Sequence, residues 1–293
     1  MRESPLADRT VVVTGAARGL GAALAREVAR RGARPALLGH EQRLLDELAA
    51  RLPAPALAIE VDVTDVEALR SAAGEVRRRL GPPSVVVANA GVAQAGPFAA
   101  TDPADWRRVI DVNLTGSAQT ARAFLPDLRA TAGYYLLMAS LASLGAVPLM
   151  SAYCASKAGA EAFAHALRAE VACQGVAVGI AYPNWTDTDM VRDGDRHAAL
   201  RELRGRMPGP ARRVHPVEPV VERIVRGIEH RRTAVYAPGW LRLVQPVRAA
   251  LPPLVLRLSR PGLSRLEAEG RLAPTGLLGA GGDADAAASR RDP

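Results

Sequence analysis

Tyr153 and Lys157 stand four residues apart in Ala152-Tyr153-Cys154-Ala155-Ser156-Lys157-Ala158-Gly159. On a helix that spacing puts both side chains on one face. A phenol with a reference pKa of about 10 is a poor base at neutral pH, and a neighbouring ammonium stabilises its ionised form. A phenol tuned this way can exchange a proton with the oxygen of an alcohol or a carbonyl. Small residues around the pair let a cofactor lie against the helix. Lys157 is the only lysine among 38 basic residues. A compact ammonium whose pKa moves on burial suits such chemistry better than a guanidinium. Taken alone, the pair also reads as an ordinary surface contact.

Ser140 ends an apolar run thirteen residues before Tyr153. Its hydroxyl can hydrogen-bond the reacting oxygen and hold it near the phenol. Ser143 competes for that role and otherwise caps a loop. Asn113 lies in a long helical pattern, where asparagine is a poor former and so needs a reason.

A second group is Gly15-Ala16-Ala17-Arg18-Gly19-Leu20-Gly21, which follows the apolar run Thr10–Thr14. A strand that passes through glycines into a helix is where a pyrophosphate binds, because unpaired N–H groups and the helix dipole face the anion. The glycines permit a tight turn and close backbone approach. The spacing is Gly-x-x-x-Gly-x-Gly, not the commoner Gly-x-Gly-x-x-Gly, and a ligand-free glycine turn is the competing reading. An acid at the end of the second strand grips a ribose 2′-OH, whereas a basic residue tolerates a 2′-phosphate. Here Leu38 is followed by Gly39, His40 and Glu41. The strand-end acid is missing and Arg18 lies in the loop, so NADP(H) is favoured, while Glu41 keeps NAD(H) open. His40 also reads as a solvated loop histidine.

The elements that must position these groups alternate. Strand-like runs occur at Thr10–Thr14, Arg34–Leu38, Ala56–Val63, Ser84–Ala88, Tyr134–Ala139, Val176–Tyr182 and Ala234–Tyr236. Helical patterns fall between them, at Leu20–Arg31, Glu41–Leu52, Val66–Leu80, Ala104–Arg129 (long and broken), Ala152–Cys173 and Pro219–Arg231. Thr64 is the expected N-cap of the third helix, with Glu67 at capping-box spacing. Such alternation predicts βαβ units, right-handed crossovers and a parallel sheet. Asp187–Pro216 is polar and broken by prolines, and reads as a mobile segment near the site.

The chain has 293 residues, 48% of them hydrophobic and 23% charged, with a formal net charge of +8. That apolar share excludes a disordered class for most of the length. The length suits one large α/β domain with an extension. Cys154 and Cys173 cannot build a disulfide framework. Aromatics at 4% leave little stacking surface for single-stranded nucleic acid, and no nucleic-acid partner is expected. Residues 192–272 hold 17 arginines against 8 acids, so the positive excess follows the chemistry-bearing part. Met1–Thr10 is polar and the run after it is too short for a secretory signal. The uncharged stretch Ala130–Ser156 contains Gly133, Gly145 and Pro148, and reads as strand, loop and helix start, not as a membrane span. A cytoplasmic location is the expectation.

In order and spacing, Thr14-Gly-Ala-Ala-Arg-Gly-Leu-Gly21, Asp62-Val63, Ala88-Asn-Ala-Gly91, Asn113, Ser140, Tyr153-x-x-x-Lys157 and Pro183-x-x-x-x-Thr188 resemble the short-chain dehydrogenase/reductase family in its single-domain oxidoreductase branch. The likeness covers roughly residues 8–240. It implies a Rossmann-type, doubly wound parallel α/β sheet of about seven strands, with helices on both faces. It implies Tyr153 as general acid/base, Lys157 as the group that lowers its pKa and binds the nicotinamide ribose, and Ser140 as the group that orients the carbonyl. Asn113 would hold a water linking Lys157 to solvent. Gly15, Arg18, Gly19, Leu20 and Gly21 would take the pyrophosphate, with His40 near the ribose. Asp62 and the Val63 backbone would meet the adenine, and Asn89, Ala90 and Gly91 would line the cofactor groove. Pro183, Thr186 and Thr188 would hold the carboxamide. Asn184 replaces the glycine of the usual Pro-Gly pair, Thr186 a branched apolar residue, and Ala88 and Ala139 a frequent asparagine and serine.

The expected function is an NAD(P)(H)-dependent oxidoreductase acting between a secondary alcohol and a ketone or aldehyde. The alternative is a catalytically silent nucleotide-binding or scaffold protein on the same fold. The substrate pocket is expected between Ser140–Met150, Gln94–Phe98 and Asp187–Pro216, where Leu144, Val147, Leu149 and Met150 favour a hydrophobic small molecule. No metal is expected. A homodimer or homotetramer is. Residues 1–240 form the expected dinucleotide-binding and catalytic domain, 241–273 a basic helical extension, and 274–293 a disordered tail rich in Gly, Ala and Asp. The extension reads first as a cover packed over the pocket or at a subunit interface. Contact with an anionic membrane surface or an anionic substrate carrier comes second.

Overall fold

Short runs of valine, leucine and tyrosine pair side by side in a computed structural model that describes residues 4–289. The strands are Thr10–Thr14 (β1), Arg34–Gly39 (β2), Leu57–Glu60 (β3), Val85–Ala88 (β4), Tyr134–Met138 (β5), Ala177–Pro183 (β6) and Ala234–Ala237 (β7). The helices begin with α1 (Gly19–Arg30), α2 (Gln42–Ala49), α3 (Val66–Leu80), α4 (Pro103–Ile110) and α5 (Gly116–Ala130). They continue with α6 (Ser151–Val171), α7 (Asp189–Gly194), α8 (Ala198–Gly205), α9 (Gly209–Arg212) and α10 (Val217–Glu229). The last two are α11 (Leu251–Ala268) and α12 (Gly279–Ser289).

The sheet is parallel throughout, in the order β3-β2-β1-β4-β5-β6-β7. Strands covered on both faces need apolar side chains on both, and β1, β4 and β5 are buried along their whole length, as expected for a doubly wound sheet. Val12, Val86, Tyr135 and Leu137 point to one face, against Leu69 of α3, Phe124 of α5 and Leu167 of α6. Their sequence neighbours Val11, Val13, Val85, Val87 and Tyr134 point to the other, against Leu24 of α1, Leu45 of α2 and Ile224 of α10. Strand order reverses between β1 and β4, so the carboxyl ends of these two strands open a crevice where ligands bind in such sheets. The two ends are stitched together there. The Asn89 and Ala90 amides each donate to Thr14 Oγ1 at 3.0 Å, and Asn89 Nδ2 donates to the Thr14 carbonyl at 2.9 Å.

Several local expectations change. The N-cap of α3 is Asp65, whose carboxylate accepts from the Glu67 and Ala68 amides. Thr64 instead donates its hydroxyl to Asp62 at 2.8 Å. The long helical region is interrupted by a π-turn at Asp111–Thr115, with Asn113 fully buried inside it. Asp187–Pro216, for which the sequence gives no helical pattern, is largely helical. It holds α7, α8 and α9, with Ala199 and Leu203 of α8 buried.

The expected disorder of residues 274–293 is also corrected for the part described. The Thr275 and Leu278 amides donate to the Ala95 and Ala93 carbonyls at 2.9 and 2.7 Å, Leu277 and Leu278 are buried, and α12 packs along α7. Composition alone signals disorder because small residues bury little area. Here two leucines and a borrowed backbone edge supply the missing contacts. Residues 290–293 of that stretch lie outside the described residues.

Gly179 in β6 provides a check on the packing. A Cβ there would lie 1.9 Å from the Tyr134 hydroxyl and 2.5 Å from the Arg232 carbonyl, which are themselves hydrogen-bonded at 2.8 Å. Gly179→Ala is expected to lower the unfolding free energy by about 2–3 kcal/mol through overpacking, seen as a fall in the urea midpoint.

Candidate active site

The helix α6 is built from alanine, serine and glycine, which lets it pack closely on the crevice. Ser156 and Lys157 are buried on its inner side, while Tyr153 stays partly exposed one turn earlier. Lys157 Nζ donates to the Met138 carbonyl at the end of β5, at 2.9 Å, and sits 5.8 Å from the centre of the Tyr153 ring. Asn113 explains its position in the π-turn. Its Nδ2 donates to the Val92 carbonyl and to Ser156 Oγ, and its Oδ1 accepts from the Val92 amide, each at 2.9 Å. The asparagine therefore clamps the segment after β4 onto α6. Gly91 lies between these groups, and a Cβ there would meet Asn113 Oδ1 at 3.1 Å and Lys157 Nζ at 3.3 Å.

Ser140 and Ser143 divide their roles. Ser143 Oγ accepts from the Ser140 amide and donates to the Ser140 carbonyl, so it caps the loop. Ser140 lines a small apolar cavity of about 90 Å³ together with Tyr153, Val147, Met150 and Leu200. The stretches 140–150 and 187–216 both contribute to its wall, but 94–98 does not. Gln94 instead pairs with Leu277 of the C-terminal segment, and Leu278 takes the place in the wall.

A second, larger cleft runs across the switch point and shares Tyr153 with the cavity. Gly15, Arg18, Gly19, Leu20, Gly21, His40, Val63, Asn89, Ala90, Gly91, Lys157, Pro183 and Thr188 line it. Gly15 has φ +62, and a Cβ there would come 2.8 Å from the Ala90 Cα, while one on Gly21 would strike the Gly15 carbonyl at 2.0 Å. The helix α1 starts at Gly19 with no side chain capping its first turn, so its N–H groups stay available to an anion. These features fit a dinucleotide pyrophosphate. Asp62 stands beside the cleft, where it accepts from Arg108 at 2.8 Å and from Thr64. Thr186 is buried and turns its hydroxyl to the Asn184 carbonyl at 2.9 Å.

Two side chains at this cleft carry no spacing signal in the sequence. Asp285, on α12, is buried and accepts two hydrogen bonds from Arg108, at 2.7 and 2.8 Å. It also lies 3.2 Å from His40 Nε2 and raises the pKa of that imidazole by hydrogen bonding. Arg18 is held in a two-bond pair with Glu41 at 2.6 and 2.7 Å, so the two residues that argued for opposite nucleotides partner one another.

The pKa of the phenol is displaced in the direction opposite to the one its lysine neighbour suggests. Burial pushes the Tyr153 phenol above its ordinary value, interaction with the Ser140 side chain pulls it back, and nearby Cys154 raises it further. The Lys157 ammonium is not among the groups that lower it. Burial instead pulls Lys157 itself down to about 8, because desolvation disfavours the charged form. Farther along the same face of α6, Glu161 is buried, and its Oε1 accepts from the Tyr182 hydroxyl and from Arg248, both at 2.8 Å.

The lysine shift has a measurable consequence. Between about pH 8 and pH 10 the unfolded chain keeps the Lys157 proton that the folded chain releases, so stability from this group rises with pH. Comparison of urea midpoints across that range should show a rise that Lys157→Met lacks, with a difference of about 2 kcal/mol.

The profile of the short chain dehydrogenase family matches residues 9–198. The chain is 36% identical over 196 residues to the probable oxidoreductase EphD of Mycobacterium tuberculosis strain H37Rv, a match covering 65% of this chain and 33% of that protein. It thus spans about a third of the length of that relative. It is 33% identical over 184 residues to meso-2,3-butanediol dehydrogenase of Serratia marcescens, covering 62% and 73% of the two chains. It is 29% identical over 258 residues to estradiol 17-beta-dehydrogenase 11 of Rattus norvegicus, covering 86% and 82%. Among the described residues no group is placed to hold a metal ion, and no helix is long and apolar enough to cross a membrane. With the parallel sheet, the glycine turn and the Tyr153–Lys157 face agreeing with the profile, the chain belongs to the short-chain dehydrogenase family.

Proposed function

We propose that the chain is an NAD(P)(H)-dependent oxidoreductase that interconverts a secondary alcohol and a ketone or aldehyde. One observation carries the reading: Tyr153 belongs to the wall of both the dinucleotide cleft and the apolar cavity that holds Ser140. A proton donor at that junction reaches the oxygen of a carbon placed beside the nicotinamide. The cofactor, when bound, supplies or accepts the hydride. Ser140 fixes the substrate oxygen by hydrogen bonding. Tyr153 passes it a proton during reduction and takes one during oxidation. A phenol held above its ordinary pKa is protonated at neutral pH, which suits reduction. Lys157 anchors on the Met138 carbonyl and faces the cleft, where it can hold the ribose.

For the nucleotide we infer NADP(H) ahead of NAD(H). The support is His40, which follows the last residue of β2 and lines the cleft, and the absence of a strand-end acid. The apolar cavity wall supports a hydrophobic substrate.

A catalytically silent nucleotide-binding protein is the second reading, and one observation favours it. The apolar cavity beside Ser140, where a substrate would sit, holds only about 90 Å³, below the roughly 300–1,000 Å³ of small-molecule sites, while Gly281, Gly282, Ala284 and Asp285 of the C-terminal segment line the dinucleotide cleft. Turnover of apolar ketones with NADPH and NADH separates the two readings. Tyr153→Phe is expected to lower kcat by about 10²–10⁴ while NADPH affinity, followed by its fluorescence, changes little. Full turnover by that variant would overturn the assignment of the acid. Asp285→Asn weakens the hold of α12 on Arg108 and His40, so its NADPH dissociation constant should fall about threefold to tenfold as more of the population becomes competent to bind.

A further inference from the structure

Among the described residues the large apolar side chains left exposed are Phe98, Leu243, Val247, Leu254, Leu256 and Leu258. All but Phe98 fall in the sixteen residues from 243 to 258. The inner side of this extension is anchored: Leu241 and Leu266 are buried, Leu251 packs on the core, and Arg248 pairs with buried Glu161. Its outer side is therefore fixed in place and apolar, not an unfolded end. On α11, Leu254 and Leu258 share one face at four-residue spacing.

Charge identifies what covers this face. From 230 to 266 the chain holds seven arginines and no acid. Arg242, Arg257 and Arg260 are exposed and make no ion pair among the described residues. A second copy docked here about a two-fold axis would set the same patch against itself, bringing unpaired arginines together with no carboxylate to receive them. A surface of lipid phosphates over acyl chains complements both parts of the patch: leucines enter the interface and arginines meet phosphates.

We propose that the outer face of residues 240–260 docks on an anionic lipid bilayer surface, Leu254 and Leu258 entering the interface and Arg242, Arg257 and Arg260 contacting phosphates. Leu251 lies against Gly145, where a Cβ would approach it to 3.1 Å. The inner side of the docked extension thus packs on the loop that follows Ser140, so a lipid-soluble substrate would meet the protein near its apolar cavity.

The test is sedimentation of the full chain with phosphatidylcholine vesicles, with and without phosphatidylglycerol, at low and high salt. Binding to the phosphatidylglycerol vesicles at low salt is expected, weakened by about tenfold or more in Leu254→Asp/Leu258→Asp and in Arg257→Glu/Arg260→Glu. These side chains are exposed, so thermal unfolding of both variants should match the parent. No sedimentation at low salt would overturn the proposal. So would binding that survives the leucine changes, which would reduce it to adhesion of a basic protein. Conversion of a dimer to a monomer by the leucine changes, without vesicle binding in the parent, would assign the face to a second copy instead.

Discussion

A single ammonium, placed where water hardly reaches it, organises the centre of this molecule. Lys157 is 5% exposed, and a buried cation persists only with partners. The Met138 carbonyl provides one. The space is closed by Gly91 and by Asn113, which needs a local departure from α-helical geometry to reach the Val92 backbone and Ser156. The π-turn, the glycine after β4 and the small residues of α6 all serve to bring a charged side chain to one point at the carboxyl edge of the sheet.

That edge is where the parallel sheet opens. β1 and β4 diverge beyond Thr14 and Ala88, and the stitching of Asn89 to Thr14 keeps the opening at a fixed width. The residues that line it then come from three elements: the glycine turn, the segment after β4, and α6. Tyr153 lies where cleft and cavity meet, so its ring belongs to the wall of both.

Much of this was legible in the residues. β1 and α3 lie where their patterns place them, because an apolar run flanked by turns and a capped amphipathic stretch are local signals. β3 is shorter than its apolar run, Ala56–Val63, since an edge strand pairs on one side only. The glycine turn and the Tyr153–Lys157 face were also readable, being local in sequence. Arg108 and Asp285 were not, because they meet across 177 residues and neither stands in a pattern that marks a partner. The pKa of Tyr153 is raised for a related reason: an i, i+4 neighbour is visible in sequence, but the burial that pushes the phenol up is a property of the whole fold.

Glu161 gives the C-terminal extension a different standing from that of an appendage. Its carboxylate lies two helical turns beyond Tyr153 on α6, and its cation, Arg248, belongs to the extension. Peeling the extension away would take from Glu161 both Arg248 and the Gln245 amide that bond it. The helix that carries Tyr153 and the arginine-rich arm are therefore fastened to one another by a charge pair. The arm thus reaches, through Arg248, the same helix that lines the cleft.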